Sequence, residues 1–236
     1  MFADIHAHIL CDIDDGPKTL EESIELCIKA KENSISEIVA TPHFYGIYHD
    51  LEERIKTRDE RLSRLKAELQ KRKIQIDILP GFEVRYFSGI SRSDNLPKLC
   101  LNNSKVLLLE LNTEPITQKT VEEIEELSYS GFTVILAHLE RYVKGFGFRK
   151  IKPLISNESV LVQVNASSFL SGTFQKSANM LLKENIIDLV ADDMHSVDTR
   201  PPLLQEAYKA IELKKDKATS QILMANAKKM FELIKG

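Results

Sequence analysis

Short apolar runs rich in Val, Ile and Leu alternate along the chain with longer segments whose apolar residues recur every three or four positions. Read as strands, the runs fall at 2–8, 36–41, 74–80, 105–111, 132–137, 159–165 and 186–191. Read as helices, the amphipathic segments fall at 19–33, 51–73, 117–130, 148–156, 174–184, 201–214 and 218–234. Strand and helix repeated in this order predict an α/β fold whose parallel sheet is either doubly wound or closed into a barrel. The glycines never form GxGxxG or GxxxxGK[ST], so the doubly wound nucleotide-binding version lacks its phosphate loop. The most charged stretch, LEERIKTRDERLSRLKAELQKRK, holds Leu51, Ile55, Leu62, Leu65 and Leu69 at helical spacing. It reads as a barrel helix with its charged side in water, with a partner-binding coiled coil as the alternative. No internal repeat, low-complexity tract or Pro/Gly-rich linker interrupts the pattern, so one domain is predicted over residues 1–236.

The ionisable residues sit at the ends of these runs. His6 and His8 are two apart on a strand and leave the same face, as two ligands to one metal must. After EIVAT comes Pro42-His43, after IDILPGF comes Glu83, VLLLE ends on Glu110, VILAH ends on His138, and IIDLVADDMH delivers Asp193 and His195. In a β/α barrel the carboxyl ends of the strands converge on one mouth, where active sites are built. Singly, His43 reads as a turn residue, Glu110 as a backbone cap and His138 as a neutral core histidine. Together they would place several buried carboxylates and imidazoles in one spot, a heavy cost unless a cation offsets it. A mixed imidazole and carboxylate set without thiolate suits Mn, Fe(II) or Zn. So many candidate ligands exceed one ion, which predicts two or three divalent metals sharing a bridging carboxylate, as in phosphoester hydrolysis.

Composition removes several other classes. The formal net charge of -3 supplies no basic face, so nucleic acid is not expected as a partner. No secretory leader pattern and no long apolar span occur, so a cytoplasmic protein without membrane insertion is predicted. Cys11, Cys27 and Cys100 are an odd number at wide spacing, which fits free thiols and neither a disulfide framework nor a CxxC zinc site.

The stretches DIHAHI, DIDDGP, TPH, LPGFE, LLLELN, LAHLERY and DDMHSVDTRPP together resemble the polymerase and histidinol phosphatase (PHP) superfamily. Within it they are most similar to the bacterial capsular-polysaccharide tyrosine-protein phosphatases, over nearly the whole chain. The resemblance implies a distorted seven-stranded (β/α) TIM-like barrel with a trinuclear site. It implies that His6, His8, Glu83 and Asp193 hold one metal, with Glu83 bridging to a second held by Glu110 and His138. Asp15, His43 and His195 would hold the third. It further implies manganese as the favoured ion and, as substrate, phosphotyrosine on a partner protein, a membrane-associated bacterial tyrosine autokinase controlling polysaccharide export. Arg141 in HLERY and Arg200 in DTRPP match the arginines that hold phosphate. Asp192 beside Asp193 departs from the pattern, and the spacing to His195 favours Asp193 as the ligand.

The expected chemistry is in-line attack of a metal-activated water on phosphorus, with both arginines stabilising transition-state charge. A cysteine route is excluded, because the sixth residue after each cysteine is Pro17, Asn33 or Val106 and never arginine. The loop HFYGIYHD sets Tyr45 and Tyr48 at the mouth, either as a rim that packs a tyrosyl ring or as a simple cover. His49 has no ligand slot and reads as a surface residue, with protonation of the leaving group as its alternative. The rival functions are a small-molecule phosphatase of the histidinol-phosphate type and, from another class, a metal-sensing or kinase-scaffolding binding module.

Overall fold

Each apolar run folds as a parallel strand, and two of the runs are followed after a two-residue gap by a further short strand. The computed structural model describes the backbone of residues 1–236 and every side chain except that of Ile47. Its strands are β1 (Phe2–Ala7), β2 (Ile35–Ala40), β3 (His43–Phe44), β4 (Asp77–Pro80), β5 (Glu83–Arg85), β6 (Val106–Glu110), β7 (Thr133–Leu136), β8 (Val160–Asn165) and β9 (Leu189–Ala191). Its helices are α1 (Leu20–Glu32), α2 (Leu51–Lys71), α3 (Leu96–Leu99), α4 (Gln118–Tyr129), α5 (Leu139–Phe146), α6 (Phe148–Ile151), α7 (Ser167–Leu170), α8 (Gln175–Lys183), α9 (Leu204–Lys214) and α10 (Lys217–Lys235).

The strands form two parallel sheets, ordered β1-β2-β4 and β3-β5-β6-β7-β8-β9. The predicted seven strands are therefore nine, and their ladders do not close into one hydrogen-bonded barrel. The expected strand over 36–41 is β2, and the short β3 follows as a separate strand because Pro42 between them has no N–H to give to a ladder. The one over 74–80 stops at Pro80 and resumes as β5 after Gly81 and Phe82. A Cβ at Gly81 would come within 2.6 Å of Leu101 Cδ2, so the break needs glycine to let Leu101 pack close. His43 and Glu83 thus begin second strands instead of ending first ones, and they lie opposite each other in register. At the far edge β1 meets the chain just beyond β9. Ala7 bridges to Met194, His8 N donates to Met194 O and Asp193 N donates to His6 O, each bond 2.9 Å.

Two apolar clusters sort the strand faces. Val134, Leu136, Val160, Val162 and Val164 point out beneath the helices, whereas Ala3, Ile5, Val39, Leu79, Val106, Leu108, Ile135, Leu189 and Ala191 point in. The inner cluster is completed by Ala227, Met230, Phe231 and Ile234 of α10. That helix seals the amino ends of the strands, where Lys228 pairs with Glu37, Lys235 Nζ with Asp77 at 2.7 Å, and Asn226 Nδ2 donates to Asp188 O. The carboxyl ends are left for polar chemistry.

Several helices follow their predicted spans closely. α1, α2 and α10 start where Thr19, Asp50 and Asp216 accept from backbone N–H groups of the first turn. The charged α2 buries Leu62, Leu65 and Leu69 against the rest of the fold, which leaves no apolar seam for a coiled coil. The expected helix at 148–156 is only α6 followed by a tight turn over Lys152–Ile155. α5, directly after His138, was hidden by the glycines at 145 and 147. Among the described residues no helix is long and apolar enough to cross a membrane.

Candidate metal centre

Glu83 is the hub. It is 1% exposed, and its Oε2 lies 3.4 Å from His6 Nε2, 3.2 Å from His8 Nε2 and 2.9 Å from His43 Nδ1. Its Oε1 lies 2.8 Å from His138 Nε2, which is 3.7 Å from Glu110 Oε1. Asp193 Oδ1 stands 3.5 Å from His6 Nε2 and 3.6 Å from His8 Nε2. On the outer side Asp15 Oδ1 is 3.1 Å from His195 Nε2 and 3.4 Å from His43 Nε2. All nine residues predicted as ligands therefore meet in one place. Eight of them fall into three overlapping groups: His6, His8 and Asp193; His43, Glu83 and Glu110; and His8, Asp15, His43 and His195, while His138 joins them through Glu83 and Glu110.

Local backbone devices aim these groups. The register of β1 against β2 slips between Asp4 and Ala7, so Ile5 faces the inner apolar cluster while its neighbour His6 faces the centre. His138 (φ +38°) and Asp193 (φ +53°) occupy the left-handed region just past β7 and β9. Such strain in a non-glycine residue persists where surrounding contacts over-determine it, and here it turns both side chains into the mouth. The DDGP turn presses on β1 so closely that a Cβ at Gly16 would lie 2.6 Å from His8 O. His195 N and Ser196 N both donate to Arg200 O, which folds the following loop back and returns Arg200 to Asp193.

A chain of buried amides fixes the proton positions. Asp193 is an acceptor, so Asn165 Nδ2 donates to its Oδ2 at 2.7 Å, and Asn165 Oδ1 accepts from Gln163 Nε2 at 2.8 Å. Gln163 Oε1 then accepts from His138 N and from His6 Nδ1 at 3.2 Å, which leaves His6 Nε2 as a bare lone pair. Asp14 Oδ2 does the same for His8 Nδ1 at 2.8 Å, and the Asp193 carbonyl for His195 Nδ1 at 2.9 Å. The lone pairs of His6 and His8 consequently face each other at 3.3 Å.

This arrangement demands positive charge, and the donor set fits divalent metal. Buried His43 Nδ1, Glu83 Oε2 and His195 Nε2 lack hydrogen bonds among the described residues although each has an oppositely disposed neighbour close by. Without metal, protons serve instead. Burial alone would make His8 less basic, but Asp14 and Glu83 outweigh it and push the imidazole up to about 10. Burial also opposes protonation of His43, yet Asp15 and Glu83 raise it to about 9. Burial would raise Glu83, while His6, His138 and His43 hold it well below the usual carboxylate range. Among the outer pair, burial lowers His195 despite Asp15.

The arginines predicted to hold phosphate converge as well. Arg141 and Arg200 each donate to Asp193 Oδ2 at 2.6 Å, and Arg200 also lies 3.5 Å from Asp15 Oδ2. Asp193 rather than Asp192 reaches the centre, for Asp192 Oδ1 accepts from Leu203 N and faces away. Tyr45 stacks on His43 with ring centroids 5.0 Å apart, whereas Tyr48 is 84% exposed at the rim. His49 is half-buried, not a surface residue. Its Nδ1 accepts from Tyr45 N at 3.1 Å and so braces the aromatic loop. Asp14, Gln163 and Asn165 escaped the sequence reading. The polar alternation Gln163, Asn165 at the end of the otherwise apolar VLVQVN was the available signal.

A family profile described as capsular polysaccharide synthesis, CpsB/CapC, matches residues 2–232. The tyrosine-protein phosphatase CpsB of Streptococcus agalactiae serotype III (strain NEM316) is 34% identical over 241 aligned residues, covering 97% of this chain and 98% of the relative. A solved structure from work on YwqE of Bacillus subtilis and CpsB of Streptococcus pneumoniae, described as unique metal-dependent tyrosine phosphatases, superposes with a TM-score of 0.86. It is 26% identical and covers 98% of this chain and 94% of that one. A putative histidinol phosphatase, HisK of Listeria monocytogenes, shares the fold at a TM-score of 0.53 and 13% identity, covering 83% of this chain and 96% of that one.

Proposed function

This chain belongs to the CpsB/CapC family of capsular polysaccharide synthesis, and from that premise we propose that it is a metal-dependent protein-tyrosine phosphatase. Its substrate in this reading is phosphotyrosine on a membrane-associated bacterial tyrosine kinase that governs capsule or exopolysaccharide export, met in the cytoplasm. The observation that carries the proposal is the convergence of four imidazoles, His6, His8, His43 and His138, on Glu83, with Glu110, Asp193, Asp15 and His195 at hydrogen-bond or ligand distance around them.

We assign His6, His8, Glu83 and Asp193 to one ion, Glu83, Glu110 and His138 to a second, and Asp15, His43 and His195 to a third, with manganese the favoured occupant. The absence of thiolate supports a borderline or hard ion, and the shared Glu83 supports a bridged cluster. The overlap of His8 and His43 between neighbouring groups supports adjoining ligand sets, which would hold more than one ion. Bound divalent ions would acidify a coordinated water and neutralise developing phosphoryl charge. The protein's own share is orientation. Asp14, Gln163 and the Asp193 carbonyl keep three Nε2 lone pairs turned inward, which holds those donors in place without a large reorganisation.

Arg141 and Arg200 meet at one carboxylate oxygen, so their remaining N–H groups stand side by side for phosphoryl oxygens, the bidentate geometry suited to guanidinium. Expulsion of tyrosyl oxygen needs little acid help, since phenol ionises near pH 10, far below an alkyl alcohol. We also read the two sheets as the halves of one distorted seven-stranded barrel spanning a single domain. The contact of β1 with Met194 and the β2/β3 and β4/β5 pairs, each one strand broken once, support that reading.

The test is phosphate release from a phosphotyrosine peptide, the matching phosphoserine peptide and histidinol phosphate, by protein stripped with chelator and reloaded with manganese. Preference for the tyrosine peptide that vanishes on stripping is the expected outcome. Turnover of histidinol phosphate alone would reject the substrate, and silence on all three would reject the enzyme.

A further inference from the structure

A third arginine, Arg85, stands beside the centre. Arg85 lies two residues beyond Glu83 on β5, so both side chains leave the strand on the same face. Its Nε donates to Glu110 Oε2 at 3.0 Å, and its guanidinium carbon sits 4.5 Å from the centroid of the Tyr45 ring. Tyr45 in turn stacks on His43, 26° from parallel. Arg85, Tyr45 and His43 therefore form a contiguous stack leading from solvent to the donor cluster. Among the described residues the terminal nitrogens of Arg85 have no partner, and its side chain is 44% exposed.

Arg85 and Tyr45 wall a cavity of about 560 Å³, together with the aromatic Tyr48, Tyr86 and Phe87 and the polar Asn112 and Glu114. A second cavity, of about 430 Å³, adjoins the centre beside Asp15, His195 and Arg200, but Lys18, Glu22, Glu25 and Asp198 line the rest of it and no Phe or Tyr does. The two openings differ in what they suit. Aromatic walls with an unspent guanidinium offer apolar area, ring faces and a cation for another ring's π-face. Charged walls do not.

We propose that the aromatic cavity seats the aryl ring of the phosphoester and that Arg85 is the residue that sets preference for aryl over alkyl esters, an inference that rests on the phosphotyrosine reading above. An aryl ester carries its ring one oxygen away from phosphorus, within reach of walls that begin at Tyr45, directly over His43. A seryl ester presents a single methylene there and touches little of them. Arg141 and Arg200 cannot supply this discrimination, because they converge on Asp193 and neither lines the cavity.

The experiment compares benzylphosphonate with ethylphosphonate, which share a head group and differ in the tail, by titration calorimetry on manganese-loaded wild type, Arg85→Met and Tyr45→Leu. Wild type is expected to bind the benzyl compound about tenfold more tightly, the size of a partly desolvated cation–π and ring contact. In both variants that ratio falls toward unity while ethylphosphonate affinity and manganese content hold. Equal binding of the two phosphonates by wild type, or a ratio that survives both substitutions, overturns the proposal. Equal weakening of both compounds in Arg85→Met, with manganese lost, would make Arg85 a support for Glu110 alone and also overturn it. Peptide hydrolysis by wild type runs in parallel. An intact benzyl preference without phosphotyrosine turnover would fault the phosphatase reading and leave the aryl seat standing.

Discussion

At the scale of the residue, chemistry at this centre depends on which atom of a side chain is left unspent. His6, His8 and His195 all use Nδ1 for an internal acceptor and turn Nε2 inward, a choice dictated by Gln163, Asp14 and the Asp193 carbonyl. The cysteines are unspent in a different sense. All three are free and buried, and burial pushes the Cys27 and Cys100 thiols up to about 12. A raised thiol pKa means that reactive thiolate appears only as pH climbs toward that value, so at about pH 8 both stay protonated. Treatment of native enzyme with iodoacetamide at that pH should leave phosphatase activity intact, with alkylation of Cys27 and Cys100 seen by mass spectrometry only after unfolding in urea. Inactivation tracking modification of any one cysteine would contradict the metal route.

Single elements divide their two faces, or their two ends, between stability and chemistry. β8 puts Val160, Val162 and Val164 under the helices and Gln163 and Asn165 into the centre. Replacing Gln163 with Leu removes the acceptor that fixes His6 and leaves buried N–H groups unpaired. Manganese affinity should fall by about 10- to 100-fold, measured by titration against a competing chelator, and unfolding stability by about 1–3 kcal/mol. Unchanged affinity would show that His6 needs no such support. α10 works at the other end of the strands, where Phe231 is fully buried in the inner cluster. Phe231→Ala should cost about 3–5 kcal/mol in urea unfolding, through lost burial and the cavity left behind, yet keep full manganese binding in the protein that remains folded. Loss of metal affinity in that variant would argue that the two ends are mechanically coupled.

For the whole molecule, folding gathers more ionisable groups at one mouth than protons satisfy comfortably, and this ties stability to metal and to pH. The His8 and His43 imidazoles of the metal-free protein lie above their ordinary value, at about 10 and about 9. Their contribution to metal-free stability is therefore complete below about pH 6.5 and is lost as pH rises through those values. Metal ligation requires both rings neutral, so loading at about pH 7.5 should release about two protons per molecule. Calorimetry in two buffers of different ionisation enthalpy measures that number, and a value near zero would exclude His8 and His43 as proton-holding ligands. Over the same interval manganese affinity should rise with pH, and chelation should lower the melting temperature most at high pH, where neither metal nor protons balance Glu83 and Asp193.

Much of this was legible in the sequence, and for definite reasons. The period-two and period-3.6 patterns fixed the order of strands and helices, because burial of one face is a local demand written into spacing. The histidines and acids at the carboxyl ends of the runs marked the centre, since in parallel α/β folds those ends share a mouth. Tertiary structure decided the rest. Pro42 and the close packing of Leu101 on Gly81 set two short strands apart from the runs before them, and a register slip in β1 put adjacent residues on opposed duties. The left-handed turns at His138 and Asp193, the choice of Asp193 over Asp192, and the partners Asp14, Gln163, Asn165 and Arg85 depend on contacts between residues far apart in the chain. Sequence spacing records which face a residue prefers. It carries no record of which distant atom that residue meets, and that meeting is what sets a tautomer, a pKa and a binding wall.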